Sequence, residues 1–192
     1  MKRVILAVSF CLMGNMVQAN SCGDKYFAGT LPEHEVGSVE LSELANFLDT
    51  FPTADGIKFD VDIRPNELWI DVLEYPGDVT MAAASRILFI IGRIADGEFG
   101  ELVLADNGEG LYKISEESIR AIGCQFVWGV EGRGQNPIAL IRDFADNLEY
   151  YDSGQRVAAR FTGSLLGDTT AAMDVLNKYV NRNWVLRTVV IK

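Results

Sequence analysis

The chain has little of what many hydrolases and metal sites are built from, with one histidine and three cysteines among 192 residues. The single histidine, His34, cannot form a multi-histidine zinc site, and no H-E-x-x-H sequence is present. A serine triad would have to use His34, and no G-x-S-x-G turn supplies the nucleophile. The sequence therefore favours a protein without catalytic residues, metal ion or other cofactor, and it does not by itself identify a function.

Apolar runs long enough to cross a membrane are also lacking. Two basic residues near the start precede an apolar run over residues 4–13, and small residues stand at positions 17 and 19. This order is typical of a secretory signal, and the run is about half of the roughly 20 residues that a membrane span needs. We expect residues 1–19 to be removed and residues 20–192 to form one domain, periplasmic or secreted, without membrane insertion.

Basic residues are scarce compared with acidic ones. Without the predicted signal, 15 Lys and Arg face 27 Asp and Glu, which leaves a net charge of −12. Such a charge repels nucleic acid and anionic membranes. It favours a basic protein partner or a divalent cation, although solubility alone would also explain it.

Only two cysteines, Cys22 and Cys124, follow the predicted signal. An even pair in an oxidising compartment predicts one disulfide, closing a loop of about 100 residues. Two separately buried thiols are the alternative. A reactive cysteine would need a setting that lowers its pKa, and no neighbouring histidine provides one.

Apolar periodicity predicts an α/β or α+β fold, with a mixed β-sheet flanked by helices. Residues 77–82 and 167–172 match at four of six positions, which suggests an internal duplication of a helix-strand-helix-strand unit over residues 38–105 and 136–192. Helix-capping preferences alone could produce the same match. The predicted helices begin at Ser38, Asp78, Ser115, Asn136 and Asp168, and the predicted strands cover residues 57–63, 67–75, 99–105, 111–114, 156–162 and 184–191.

The first two predicted strands form a hairpin that turns at Pro65 and Asn66. This register places Asp60 opposite Asp71 and Asp62 opposite Trp69. Like charges directly opposite each other destabilise a sheet, so a cation, a basic partner or an arginine from elsewhere could offset them. A paired Asp60 and Asp71 could also act as acid and base on a glycoside. The simpler interpretation is a solvent-exposed face of the sheet, with the carboxylates directed into water.

A glycine-rich segment, residues 129–136, leads into a predicted helix. Its free amides and Arg133 could hold an anion, although neither dinucleotide-binding nor P-loop spacing is present. A plain connector is the alternative, and so is a loop offered to a protein partner with Trp128 as an anchor. Core packing would equally explain Trp128.

These features lead to one preferred function and two alternatives. We expect an exported, acidic, non-enzymatic binding protein, such as an inhibitor or immunity protein that neutralises a basic toxin or hydrolase. A carboxylate-based hydrolase of envelope polysaccharide is the enzymatic alternative. A structural envelope subunit is the third, and it would associate with itself, which leaves a homodimer open. The expected contacts are Asp60, Asp62, Trp69, Asp71, Trp128 and Arg133.

Overall fold

The part of the chain that the structure describes folds into seven short strands, five α-helices, a 3-10 helix and a π-helix. In the computed structural model the described residues are 38–51, 54, 56–79, 82–130, 137–158 and 161–186, without the side chains of residues 82, 127–130, 137 and 165. The strands are β1 Val39–Glu40, β2 Lys58–Arg64, β3 Glu67–Glu74, β4 Ala95–Asp96, β5 Glu101–Asp106, β6 Glu109–Ser115 and β7 Glu149–Tyr150. The α-helices are α1 Leu44–Thr50, α2 Ala82–Ile94, α3 Glu116–Val130, α4 Pro137–Asn147 and α5 Leu165–Val175.

Five of the strands form one mixed sheet in the order β2-β3-β5-β6-β7, and β1 pairs with β4 in a separate two-stranded sheet. Strands β3 and β5 are parallel and are connected through α2, whereas the other pairs of the large sheet are antiparallel. The predicted mixed sheet flanked by helices is therefore confirmed.

Turn chemistry fixes both hairpins of the sheet. Asn66 follows Pro65 and has a φ of 65°, which fits the residue after proline in a type II turn. Asn107 and Gly108 have φ values of 52° and 78°, so both central residues adopt the left-handed conformation that a type I′ hairpin requires. These two turns set the register of the strands that carry the candidate site.

One face of the sheet packs against the helices. Leu68 and Ile70 of β3 and Leu102 and Leu104 of β5 are completely buried there. Trp184, also completely buried, donates a hydrogen bond from Nε1 to the carbonyl oxygen of Ile70 at 3.2 Å. The indole thereby satisfies its only polar group and connects the helical segment Leu176–Val185 to β3.

Two glycines allow α2 and α3 to pack closely. A Cβ atom added to Gly92 would meet the carbonyl group of Ile119, with 2.8 Å to its carbon. A Cβ atom added to Gly123 would meet the carbonyl oxygen of Phe89 and lie 2.7 Å from the backbone nitrogen of Arg93. The obstructing atoms belong to the backbone, so the helix separation depends on both glycines.

The second half of the chain differs from the prediction. Arg156 makes only an isolated bridge to Glu149, and no strand covers residues 156–162 in the part of them that the structure describes. Trp184 and Val185, predicted to begin a strand, belong instead to a π-helix, Leu176–Val185, which continues α5. Residues 187–191 of that predicted strand lie outside the described residues.

The strands that the proposed helix-strand-helix-strand repeat requires at residues 156–162 and 184–191 are not found in the described part of those two ranges. The physical reason is a helical spacing: Leu176, Val180 and Trp184 recur every fourth residue and are buried together. Asp168, predicted as a helix cap, lies inside α5, and Ser164 is the capping residue.

Candidate functional site

The candidate site lies on the sheet face opposite Leu68 and Ile70, which we call the outer face. The predicted hairpin register is confirmed: Asp60 pairs with Asp71, and Asp62 pairs with Trp69. Strand alternation therefore gathers these four predicted contacts on neighbouring positions of β2 and β3. Asp60 and Asp62 are exposed, whereas Asp71 is half-buried.

Trp69 is the centre of a small cluster on the outer face. It packs with Val103, Ala105 and Tyr151, and only 4% of its surface is exposed. Tyr151 meets the indole edge-on with 5.2 Å between ring centroids, and the Cζ atom of Arg64 lies 3.4 Å from the indole centroid. A partner would therefore meet Arg64 above the ring rather than the exposed indole that the sequence suggested.

Glu67 joins the polar edges of this cluster. Its Oε2 atom accepts a hydrogen bond from Trp69 Nε1 at 2.8 Å, and its Oε1 atom accepts one from the Tyr151 hydroxyl at 3.2 Å. Tyr151 also lies against Gly110, where an added Cβ atom would be 2.6 Å from the tyrosine ring. These contacts hold the two aromatic side chains in place.

Two cations of the outer face are already paired with carboxylates. Arg64 Nε lies 2.7 Å from Asp62 Oδ2, and Lys113 Nζ lies 2.8 Å from Glu101 Oε1. The hydrogen bond with Glu101 raises the pKa of Lys113, so this lysine keeps its charge. Asp60, Glu67 and Asp71 have no ion pair within the described part of the chain. The outer face therefore keeps an excess of negative charge.

Asp71 explains how the sheet tolerates two facing aspartates. Its carboxylate accepts hydrogen bonds from the backbone N–H groups of Asn107 and Gly108, in the turn between β5 and β6. Burial raises the pKa of Asp71 above its ordinary value, and these hydrogen bonds oppose the shift only in part. Asp71 therefore finds its partners in backbone N–H groups rather than in the cation or arginine that the sequence suggested, and the facing Asp60 is exposed to water.

Asp168 forms a second polar cluster, away from the predicted contacts. It is buried and accepts hydrogen bonds from the backbone N–H groups of Thr162 and Gly163, both at 2.8 Å. Arg142 Nη2 lies 3.5 Å from its Oδ2 atom. The backbone hydrogen bond from Thr162, together with the other donors and Arg142, lowers the pKa of Asp168. This cluster joins α4, α5 and the preceding loop.

Of the remaining predicted residues, the structure describes Cys124 and the backbone of Trp128. Trp128 lies on α3, which continues to Val130 and is therefore longer than predicted. The Trp128 side chain, Arg133 and Cys22 lie outside the described residues. Cys124 is on α3 with 3% of its surface exposed, and its disulfide with Cys22 stays a prediction.

Arg64, Glu67 and Tyr151 are the residues of the outer face that sequence reasoning missed. Arg64 and Glu67 form the closing pair of the first hairpin, so the confirmed turn could have indicated them. Tyr151 is 84 residues from Glu67 along the chain, and no local pattern connects the two.

The arrangement offers carboxylates and ordered aromatic rings. Within the described ranges, no three His, Cys, Asp or Glu side chains are grouped so that they could hold a metal ion. The same part of the chain includes no helix whose length and apolar character would suit a membrane span. Comparisons of the chain with protein-family models, curated proteins and solved structures gave no match.

Proposed function

We propose that this protein is an exported, acidic binding protein that neutralises a basic protein partner through the outer face of β2 and β3. An inhibitor or immunity-type protein acting on a basic toxin or hydrolase is the class that fits best. The observation that carries this proposal is the pair Asp60 and Asp62, both exposed on neighbouring outward positions of β2. Asp60 has no ion pair within the described residues, so a partner could supply its cation.

The charge of the whole chain supports the same function. A net charge of −12 on residues 20–192 would attract a basic protein over about 10 Å at 0.1 M salt. Such attraction mainly raises the association rate, and it weakens as salt screens the charges. The contacts that hold Trp69 and Tyr151 lower the conformational entropy that these two side chains would lose on binding.

An affinity pull-down from the envelope fraction of the producing organism tests this function. The tagged protein is used beside D60N/D62N and beside E117Q/D174N, a control that removes two exposed acidic charges from other elements. We expect wild type and the control variant to retain a basic protein at low salt and to release it at high salt. D60N/D62N should retain that protein poorly. Equal retention by all three, or no enriched basic protein, would contradict the proposal.

One observation favours the carboxylate hydrolase as a second candidate. The buried environment raises the pKa of Asp71, and Asp71 faces the exposed Asp60 across the hairpin. Two carboxyl groups in different environments can divide the roles of acid and base. This function predicts glycan cleavage with a bell-shaped pH profile, lost in D60N and in D71N while folding is retained. An inactive wild-type protein on envelope polysaccharide would rule it out.

A further inference from the structure

Strand β2 is an edge of the large sheet. It pairs with β3 on one side, and within the described residues no strand pairs with its other side. In an antiparallel pair, alternate residues direct their N–H and C=O groups away from the partner strand. The free side of β2, Lys58–Arg64, therefore presents backbone donors and acceptors to which another extended segment can bind.

The charges along this edge follow a symmetric pattern. Lys58, Asp60, Asp62 and Arg64 occupy alternate positions, in the order basic, acidic, acidic, basic. The order is the same when the strand is followed in either direction. A complementary strand can therefore match these charges in a parallel or in an antiparallel orientation.

The same pattern disfavours a second copy of this chain in the two registers in which the strands overlap completely. Antiparallel pairing of two β2 strands centred on Val61 would place Asp60 opposite Asp62 of the other copy, and Lys58 opposite Arg64. A parallel pairing in register would place each charge opposite itself. Because like charges directly opposite each other destabilise a sheet, the edge resists pairing with itself in these registers.

We propose that the free edge of β2 accepts an extended segment of the basic partner by strand addition. The segment has basic residues at two alternate positions, opposite Asp60 and Asp62, and acidic residues at the flanking alternate positions. Its main-chain hydrogen bonds complete the edge, and its charges select the register. This inference rests on the proposed function and identifies the kind of segment that the outer face recognises.

Among the described residues, the ion pairs along this edge engage Lys58, Asp62 and Arg64 and leave Asp60 unpaired. Lys58 Nζ binds Asp49 Oδ1 at 3.1 Å, and Arg64 Nε binds Asp62 Oδ2 at 2.7 Å. All four side chains are at least one-third exposed, and exposed pairs of this kind exchange partners easily. Asp60 has no such pair in the described structure, so it is the strongest point of attraction for an incoming cation.

Two peptides of identical composition test the inference. In one, glutamate, lysine, lysine and glutamate alternate with threonine, and in the other the order is lysine, glutamate, glutamate and lysine. Both have blocked ends and zero net charge. Titration of the purified protein, followed by NMR, should show about tenfold tighter binding of the first peptide, with β2 amides newly protected from hydrogen exchange. Equal binding of both peptides, or binding of neither, would overturn strand addition.

A charge-reversed edge provides the matched control. The variant K58E/D60K/D62K/R64E should prefer the second peptide, whereas E117Q/D174N should keep the wild-type preference. If the reversed variant does not fold, D60N/D62N replaces it and should lose the preference for the first peptide. A preference that is unchanged in the edge variant would contradict the inference. Salt-sensitive capture of a basic protein together with failure of both peptides would retain the proposed function and reject strand addition.

Discussion

Replacing Gly123 by alanine tests the close packing of α2 and α3, which supports the sheet from the core side. In an exposed helix this change stabilises the protein, because alanine has a helix propensity higher than that of glycine by about 1 kcal/mol. Here the new methyl group would meet the carbonyl oxygen of Phe89 and lie 2.7 Å from the backbone nitrogen of Arg93. Backbone atoms cannot rotate away as a flexible side chain can, so the two helices must separate.

Overpacking of this kind destabilises a core by roughly 1–3 kcal/mol. After the gain in helix propensity, we expect a net loss of about 2 kcal/mol, since the overlap involves the backbone of the neighbouring helix. For a chain of this length that loss lowers Tm by about 4–8 °C. Thermal unfolding followed by circular dichroism measures it.

The matched control is Gly77→Ala, because nothing lies within 4 Å of a Cβ atom at Gly77 and its φ is outside the left-handed region. Its Tm should stay within about 2 °C of wild type, as for most surface substitutions. If Gly123→Ala leaves Tm unchanged or raises it, the helices are not in the close contact described above.

Three further predictions concern individual side chains. Burial raises the folded-state pKa of Asp71, so wild type should lose stability relative to D71N as pH rises from about 3.9 through that raised pKa. Urea unfolding at a series of pH values measures the difference in unfolding free energy between the two proteins. A difference that stays constant with pH would contradict this explanation. Asp168 has a lowered folded-state pKa, so its contribution is complete above about pH 3.9, and wild type should lose its advantage over D168N as pH falls through the lowered value. An advantage that persists at the lowest pH would contradict that explanation. Non-reducing peptide mapping should find Cys22 joined to Cys124, and a reduced pair would reject the predicted disulfide.

The two hairpins of the large sheet could be predicted because their local signals agree with the tertiary structure, whereas the helix predicted to begin at Ser38 starts later, after strand β1, Val39–Glu40. Alternation along β2 and β3, the Pro65-Asn66 turn and the Asn107-Gly108 turn all specify hairpins, and the structure contains both. The register of β2 and β3 followed from the turn alone, so the pairing of Asp60 with Asp71 was predictable. Here the alternation pattern and the turn geometry predict the same strand pairing.

The last third was less predictable because a short apolar segment fits a strand as well as a buried helix. Trp184 and Val185 are completely buried, and the indole of Trp184 donates a hydrogen bond to the carbonyl oxygen of Ile70. That contact joins residues 114 positions apart, so no local window contains it. The spacing from Leu176 to Trp184 was the one local signal for a helix.

The candidate site was predictable in its positions but not in its contacts. Alternation placed Asp60 and Asp62 correctly on the exposed face. The burial of Trp69 under Arg64 and beside Tyr151 depends on side-chain packing between β3 and the turn after β7, which composition and periodicity do not contain. The hydrogen bonds of Asp71 with the turn between β5 and β6 depend on the parallel pairing of β3 with β5, which is equally non-local.

The most direct test of the central claim is the association rate of the captured basic protein with wild type, D60N/D62N and E117Q/D174N, measured at low and high ionic strength. We predict that the rate for wild type falls steeply with salt, that D60N/D62N binds more slowly and with a weaker salt dependence, and that E117Q/D174N stays closer to wild type. Equal rates and equal salt dependence for D60N/D62N and wild type would contradict binding through the acidic face of β2 and β3.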